Sequence, residues 1–487
     1  MPTILGANTA STAAYEVDNS LRFEPDDNDH LERDPSSAGN RSTFTISFWM
    51  KISEVTTGTR VIINSNTSGN DYFIIRMENH KIECLAYNNG SKVLSFSSTQ
   101  LLRDSSAWYN VIVAIDTTQG TESDRFKMYL NGTQITAFAT SDYPSQNATM
   151  QWNNTENHFI GCFTEGTHNF RGYLCEIVNI DGSQLAPTSF GEFDDDSPNI
   201  WKPKSVTSLT FGTNGFYLNV PGAGTAQNSS GMGGDSSGND HHFASSGLAA
   251  NSRTTDTCTN NAVTFMSNTP SASNFTLSQG NLKIDKSGSG TFGLYGSSIM
   301  LSSGKWYWEV KMTGDAGSDR TRVGLAAYES VTGTSSIQGS YSGFEFTSVT
   351  SGRFSVTVDG STTEIDGFNG YSTGDIIRFA LDMDNTKLYV GRNADWFNYN
   401  SSNTGGDPTS GSGWVTNNAT ALAAPVTIYA GHAVGVSGSS ELEFNFGASN
   451  TFSVSSGNSD GNGHGNFEYA VPSGYYAINS KNLAEYG

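Results

Sequence analysis

Alternation of apolar and polar residues with period two runs through this 487-residue chain, and no long amphipathic helical pattern competes with it. In residues 43–51, TFTISFWMK, Phe44, Ile46, Phe48 and Met50 point to one side, and Thr45, Ser47, Trp49 and Lys51 to the other. In residues 108–116, WYNVIVAID, Tyr109, Val111, Val113 and Ile115 share a face. In residues 304–312, GKWYWEVKM, Trp306, Trp308, Val310 and Met312 do the same, which puts both tryptophans in a core. The segment GDIIRFALDMDNTKLYVGRNADWF forms the best-defined hairpin. Ile377, Phe379, Leu381 and Met383 are its core face, Arg378 and Asp382 its outer face, and Leu388 and Val390 return after a turn at Asp384-Asn385-Thr386. Asn131-Gly132 and Asp359-Gly360 supply two further tight turns. Residues 170–180, FRGYLCEIVNI, are apolar on both faces, as in a strand buried between layers. The pattern predicts an all-β protein: two antiparallel jelly-roll-type β-sandwiches in series.

Composition places the boundaries. Residues 1–190 read as the first sandwich and 261–455 as the second. Between them, 191–260 read as a Gly/Ser/Asn-rich connector. Its opening, SFGEFDDDSPNIWKPKSV, packs on the end of the first domain, and GAGTAQNSSGMGGDSSGNDHHFASSG is by composition a loop or flexible linker. Residues 456–487 read as a Gly/Ser-rich C-terminal tail, in which 467–476 carry enough aromatics to pack back onto a neighbour.

Lys+Arg is 26 and Asp+Glu is 47, a formal charge of 26 − 47 = −21, and charged residues are only 15% of the chain. The polar surface is therefore built from Ser, Thr, Asn and Gly. No basic face exists to neutralise phosphates, which excludes nucleic acid as a partner and disfavours an anionic membrane. No stretch is apolar enough to insert in a bilayer. The start of the chain, MPTILGANTASTAAYEV, lacks the basic and apolar regions of a secretion signal. An extracellular-looking composition without an export signal fits a virion protein, made in a host cytoplasm and released by lysis. Cys84, Cys162, Cys175 and Cys258 form no CxxC pair. They read as free buried thiols, with a Cys162–Cys175 bridge across a sheet as the alternative.

Three sets of motifs carry family resemblances. GKWYWEV, the hairpin GDIIRFALDMDNTKLYVGRNADWF and ELEFNFG together resemble SPRY domains over residues 261–452. That resemblance implies a bent β-sandwich that binds partners through rim loops and is not an enzyme. FTISFWMKI, WYNVIVAID, FKMYLNGTQI and FRGYLCEIVNIDG, in that order, resemble laminin-G-like, concanavalin-A-like sandwiches over residues 23–180. Such domains bind sugars or proteins, sometimes through calcium. The joining segment, GYLCEIVNIDGSQLAPTSFGEFDDDSPNIWKP followed by GTNGFYLNV, DSSGNDHHF and TNNAVTFMS, resembles an arrangement in tail and fibre proteins of bacteriophages, especially marine ones.

Catalytic signatures are missing. Concanavalin-like glycosidases of the laminarinase type need E-x-D-x-x-E on one strand, so that acid and nucleophile share a face. Glu441 and Glu443 have no third partner, and Glu176 stands alone with Asp181. Asp194, Asp195 and Asp196 beside Glu192 are a calcium candidate whose plainer reading is a solvated loop. His241 and His242 after Asp240 are a metal candidate whose plainer reading is a hydrogen-bonded loop. Trp152, Trp396 and Trp414 sit near predicted loops as candidate receptor-binding aromatics, or else cap the sandwich ends. The expectation is a non-enzymatic phage virion protein, a tail fibre or appendage binding a host surface receptor such as a glycan. It would need no cofactor, calcium being the one candidate, and would act as a homo-oligomer with a trimer favoured. The alternative is a capsid decoration or tail-assembly protein whose sandwiches bind other virion proteins.

Overall fold

The computed structural model describes residues 15–55, 57–164, 167–267, 275–286, 293–314, 321–327, 343–349, 353–358, 361–365, 372–398, 405–415, 422, 425–432 and 440–487. Two compact units divide the chain, one ending at Asn261 and one beginning at Ala262. Both are built from antiparallel sheets, and the one α-helix among the described residues is Ser480–Tyr486. No helix of the described residues is long and apolar enough to cross a membrane.

The first unit packs two eight-stranded sheets. One runs in the order Thr133–Gln134, Phe126–Leu130, Trp108–Asp116, Thr43–Ile52, Gly172–Asp181, Ser20–Phe23 and Arg253–Thr254, with Phe216–Leu218 added beside Gly172–Asp181. The other runs Phe138–Asp142, Ser91–Ser98, Lys81–Asn88, Asp71–Glu78, Thr59–Ser68, Asn157–Ile160, His30–Arg33 and Ala244–Ser246. The expected face of the 43–51 strand, Phe44, Ile46, Phe48 and Met50, is fully buried against Phe73, Ile75, Phe96 and their neighbours. Sheets packed face to face remove these side chains from water, at about 25 cal/mol per Å² of apolar surface.

Residues 191–260 are no connector. They form part of the first unit. Gly191–Phe193 pairs with Trp201–Pro203, Phe216–Leu218 joins the first sheet, Ala244–Ser246 the second, and Arg253–Thr254 closes the first sheet against Ser20–Phe23. This wrapping explains why the strand Gly172–Asp181 is buried along its whole length. Trp49, Trp108, Tyr173 and Cys175 lie under Trp201 and Cys258 on the outer side of the sheet. Asp181 ties the loops at the strand's end. Its Oδ1 accepts from the backbone N–H of Asn40 (2.7 Å) and from Asn153 Nδ2 (3.2 Å), and its Oδ2 from the N–H of Asn214 (2.8 Å). All four cysteines are free and buried, as the plainer sequence reading had it, and the 162–175 bridge does not form.

The second unit is again two sheets. The eight-stranded one runs Phe275–Ser278, Lys283–Lys286, Ser440–Asn445, Lys305–Gly314, Ile376–Asp382, Lys387–Arg392 and Asp395–Trp396, with Tyr476–Ala477 pairing parallel to Lys305–Gly314. The six-stranded one runs Gly293–Leu301, Val426–His432, Thr321–Ala327, Gly343–Val349, Arg353–Val358 and Ser361–Ile365. The Asp359-Gly360 turn lies outside the described residues, but the strands flanking it pair in register, Val358 opposite Ser361. Trp306, Trp308, Phe379, Leu381 and Phe444 of the larger sheet meet Val323, Leu325 and Ile428 of the smaller in one core.

Residues 456–487 are not a tail. Phe467, Tyr475 and Ala477 cover the outer face of the larger sheet. Ile478 and Leu483 enter the core itself. The closing helix starts at Asn479, whose side chain accepts from Asn482 N–H at 3.0 Å, a standard N-cap. This layer also corrects the outer face of the hairpin. Arg378 and Asp382 do not face water; they are 4% and 3% exposed. The Arg378 guanidinium lies between the rings of Trp396 (4.4 Å) and Tyr469 (4.9 Å), and Asp382 takes Lys305 Nζ at 3.0 Å and the N–H of Asn385 at 2.9 Å.

Candidate functional site

The strand Phe126–Leu130 turns at Asn131-Gly132, where φ is +46° and +73°, a mirror-image turn that suits the twist of a hairpin. It returns as Thr133–Gln134, the edge of one sheet, and the chain then crosses to Phe138–Asp142, the edge of the other. The turn is fixed from below. Asn110 donates its N–H to Asn131 Oδ1 (2.8 Å) and accepts from the N–H of Asn131 (2.9 Å). Trp201 lies flat beneath, its Nε1 donating to Asn110 Oδ1 at 3.0 Å, and a Cβ on Gly132 would stand 2.3 Å from the indole. The hairpin that carries Trp201 also carries Phe193, whose ring meets Trp201 edge-on at 5.0 Å.

Between these elements lies an open cleft of about 620 Å³. Its polar lining comes from Gln100, Asn131, Thr133, Gln134, Thr136 and Asn199, and its apolar lining from Leu130, Ile135, Pro198 and Phe193. No charged side chain lines it. Phe193 is 43% exposed, whereas the tryptophan beneath it is buried. Amides and hydroxyls both donate and accept, and an exposed ring offers a flat apolar face. The arrangement can bind a polyhydroxylated ligand. With no carboxylate in the lining, it holds no acid–base pair for glycoside cleavage.

The residues singled out from sequence fall elsewhere. Trp152 is not at a rim but fully buried, with Nε1 donating to Asn179 Oδ1 at 2.9 Å and its ring among Phe73, His158 and Phe216. The polar QWNN context misleads, because those polar neighbours bond to other segments, Gln151 Nε2 to Asn88 Oδ1 at 3.1 Å and Asn153 Nδ2 to the Asn40 carbonyl at 3.1 Å. Trp396 and Trp414 are half-buried and come together on one cluster with Tyr307, Tyr389, Phe467 and Tyr475, where they cap the second sandwich. Asp194 accepts from the N–H groups of Asp196 and Ser197 at 3.0 Å each and pairs with Lys202 at 3.3 Å. His241 Nδ1 lies 3.0 Å from the carbonyl of Gly215, and His242 Nδ1 accepts from the N–H of Asp235 at 2.9 Å. Among the described residues no group of three or more His, Cys, Asp or Glu could hold a metal.

Glu176 is more unusual than its sequence context implied. It sits at a bulge in Gly172–Asp181 with φ +50°. Its carboxylate accepts from Tyr217 (2.8 and 2.9 Å) and from Tyr15 (2.8 Å). Burial pushes its carboxyl up to about 7 from an ordinary 4.5, against the pull of the two phenols. Between these values the folded chain binds more protons at Glu176 than the unfolded chain does, so stability falls as pH rises through that window. The expected loss is on the order of 3 kcal/mol at about 1.4 kcal/mol per pH unit. The unfolding midpoint of the natural chain relative to that of Glu176→Gln should fall as pH rises from 4.5 to 8; parallel curves would refute it.

Residues 25–181 match the family model Laminin_G_3, of the concanavalin A-like lectin/glucanases superfamily. Over these residues the first sandwich is similar to that superfamily. Among solved structures, the SPRY domain of human HERC1 matches at 14% identity and TM-score 0.27, over 37% of this chain and 96% of that one. Domains LG4-5 of the mouse laminin alpha1 chain match at 11% identity and TM-score 0.29, over 87% of this chain and 85% of that one. A native heptameric SAP-like pentraxin from Limulus polyphemus matches at 19% identity and TM-score 0.28, over 36% and 80%. No curated protein matches.

Proposed function

We propose that this chain is a non-enzymatic binding protein of a bacteriophage virion, part of a tail fibre or related appendage, and that its first sandwich holds a host surface glycan. The observation that carries the reading is the uncharged cleft with its exposed Phe193, set in a concanavalin A-like sandwich. The virion assignment is supported by the resemblance of residues 172–267 to phage tail and fibre proteins. Contact through a few amides, hydroxyls and one ring is weak per site. Copy number on a particle, with a trimer as the favoured unit, would multiply it.

The test is adsorption of the labelled full-length chain to host cells before and after periodate oxidation of their surface glycans. Binding that periodate abolishes is expected. A monomer that ignores cells, and that immunogold places on the particle head, would overturn the reading in favour of decoration or assembly. Soluble sugar released from host polysaccharide by the chain would overturn its non-enzymatic part.

A further inference from the structure

Resting on that reading, we infer that the cleft selects uncharged saccharides, with a sugar ring stacked on Phe193, and rejects anionic polysaccharides. Among the described residues only two large hydrophobic side chains stand exposed, Phe193 at 43% and Leu101 at 41%. Of the two, Phe193 lines the cleft. An aromatic ring beside amides and hydroxyls matches the alternation of C–H faces and O–H edges on a pyranose.

Charge decides the class. An acidic sugar giving up water in this cleft would need a cation, and none lines it. The basic residue on the Phe193 hairpin is Lys202, which is committed to Asp194 at 3.3 Å and Glu192 at 3.6 Å. The net charge of −21 adds a long-range penalty for any polyanion. An extended peptide added to the sheet edge is the competing occupant. Two features oppose it. Ala137 already gives its carbonyl to the N–H of Thr99 (3.1 Å), and the edge strand Phe138–Asp142 ends in an ion pair, Lys92 to Asp142 at 2.6 Å, a device that blunts strand addition.

The experiment splits host surface polysaccharide into neutral and acidic pools by anion exchange and measures binding of each to the full-length chain. Binding to the neutral pool is expected, nearly unchanged over roughly a tenfold rise in NaCl concentration. Phe193→Ala should weaken it roughly tenfold, while Phe193→Tyr retains it. Gln134 lies exposed on the edge strand, so Gln134→Ala should weaken binding with no change in the melting curve and guards against a folding artefact. Binding confined to the acidic pool and lost in salt would overturn the selectivity while leaving glycan binding intact. Neutral binding that neither variant weakens would overturn the assignment to this cleft. Binding to neither pool would bring down the proposed glycan function itself.

Discussion

Replacing Glu309 by alanine should destabilise the second sandwich by about 3–5 kcal/mol, the range for removing one partner from a buried ionic network. Glu309 has no solvent-exposed surface. Its carboxylate accepts from the Tyr307 hydroxyl (2.9 Å), Asn445 Nδ2 (3.3 Å) and the backbone N–H groups of Glu468 (3.0 Å) and Tyr469 (2.8 Å). Burial pushes its carboxyl up, while the two N–H groups, Tyr307 and the nearby Arg378 guanidinium hold it down. Alanine would leave the Tyr307 hydroxyl and the two backbone N–H groups without this acceptor, Asn445 Nδ2 keeping only the Asn466 carbonyl at 2.9 Å, and would take the nearby carboxylate from Arg378 between its two aromatic rings. The damage should be local before it is global, since the two N–H groups belong to the segment that folds back over the sheet. Denaturant unfolding gives the energy, and limited proteolysis should show early cleavage between residues 455 and 475. A loss below about 1 kcal/mol, with unchanged proteolysis, would contradict this account.

A loss of similar size, about 3–5 kcal/mol, is expected in the first sandwich from Asp256→Ala. Lys51 Nζ lies 2.8 Å from Asp256 Oδ2, and both side chains are 1% exposed. Trp108 Nε1 donates to the other carboxylate oxygen at 3.2 Å, and Lys51 also reaches Asn261 Oδ1 at 2.8 Å. These bonds hold the end of the first unit against the sheet's outer side. Removing the carboxylate strands an ammonium among tryptophans and Tyr173. The double variant Lys51→Met, Asp256→Leu should recover most of the stability, because an apolar pair of similar volume carries no desolvation cost. Near-ultraviolet circular dichroism and thermal unfolding of the three proteins would check both outcomes. A double variant as unstable as the single one would show that packing, not the stranded charge, sets the loss.

The strands were legible because alternation and burial obey the same period. Phe44 to Met50 and Trp306 to Met312 were read correctly from spacing alone. Most of 191–260 and 456–487 was not, beyond the packing of the Trp201 segment on the first domain and the return of the aromatic run 467–476, for a physical reason. They bury isolated residues, such as Trp201, Met232, Phe243 and Phe467, set in Gly- and Asn-rich chain with no period to detect. What orders them is side chain to backbone bonding. Asp235 accepts from the N–H groups of Tyr217, Ser237 and His241, and Asp460 from those of Asn462, His464 and Ala477. A composition that reads as flexible is here a set of internal caps. The site failed for the opposite reason. Tryptophans drew attention as exposed aromatics, yet their large apolar area makes them the residues a sandwich most gains by covering. Phe193, set between Glu192 and the run Asp194 to Asp196, carried no pattern at all.

The pairing of Ser20–Phe23 with Arg253–Thr254 sets Ser20 opposite Thr254. The path into this fold and the path out of it therefore lie side by side, roughly 5 Å apart as neighbouring strands are. A body with such a doorway can be spliced into a surface loop of an unrelated host without prising the host apart. It can equally be re-cut, its old ends joined by a short bridge and new ones opened at a distant turn such as Asn89-Gly90. Evolution could shuffle it between proteins as a cassette, exchanging the cleft and keeping the frame.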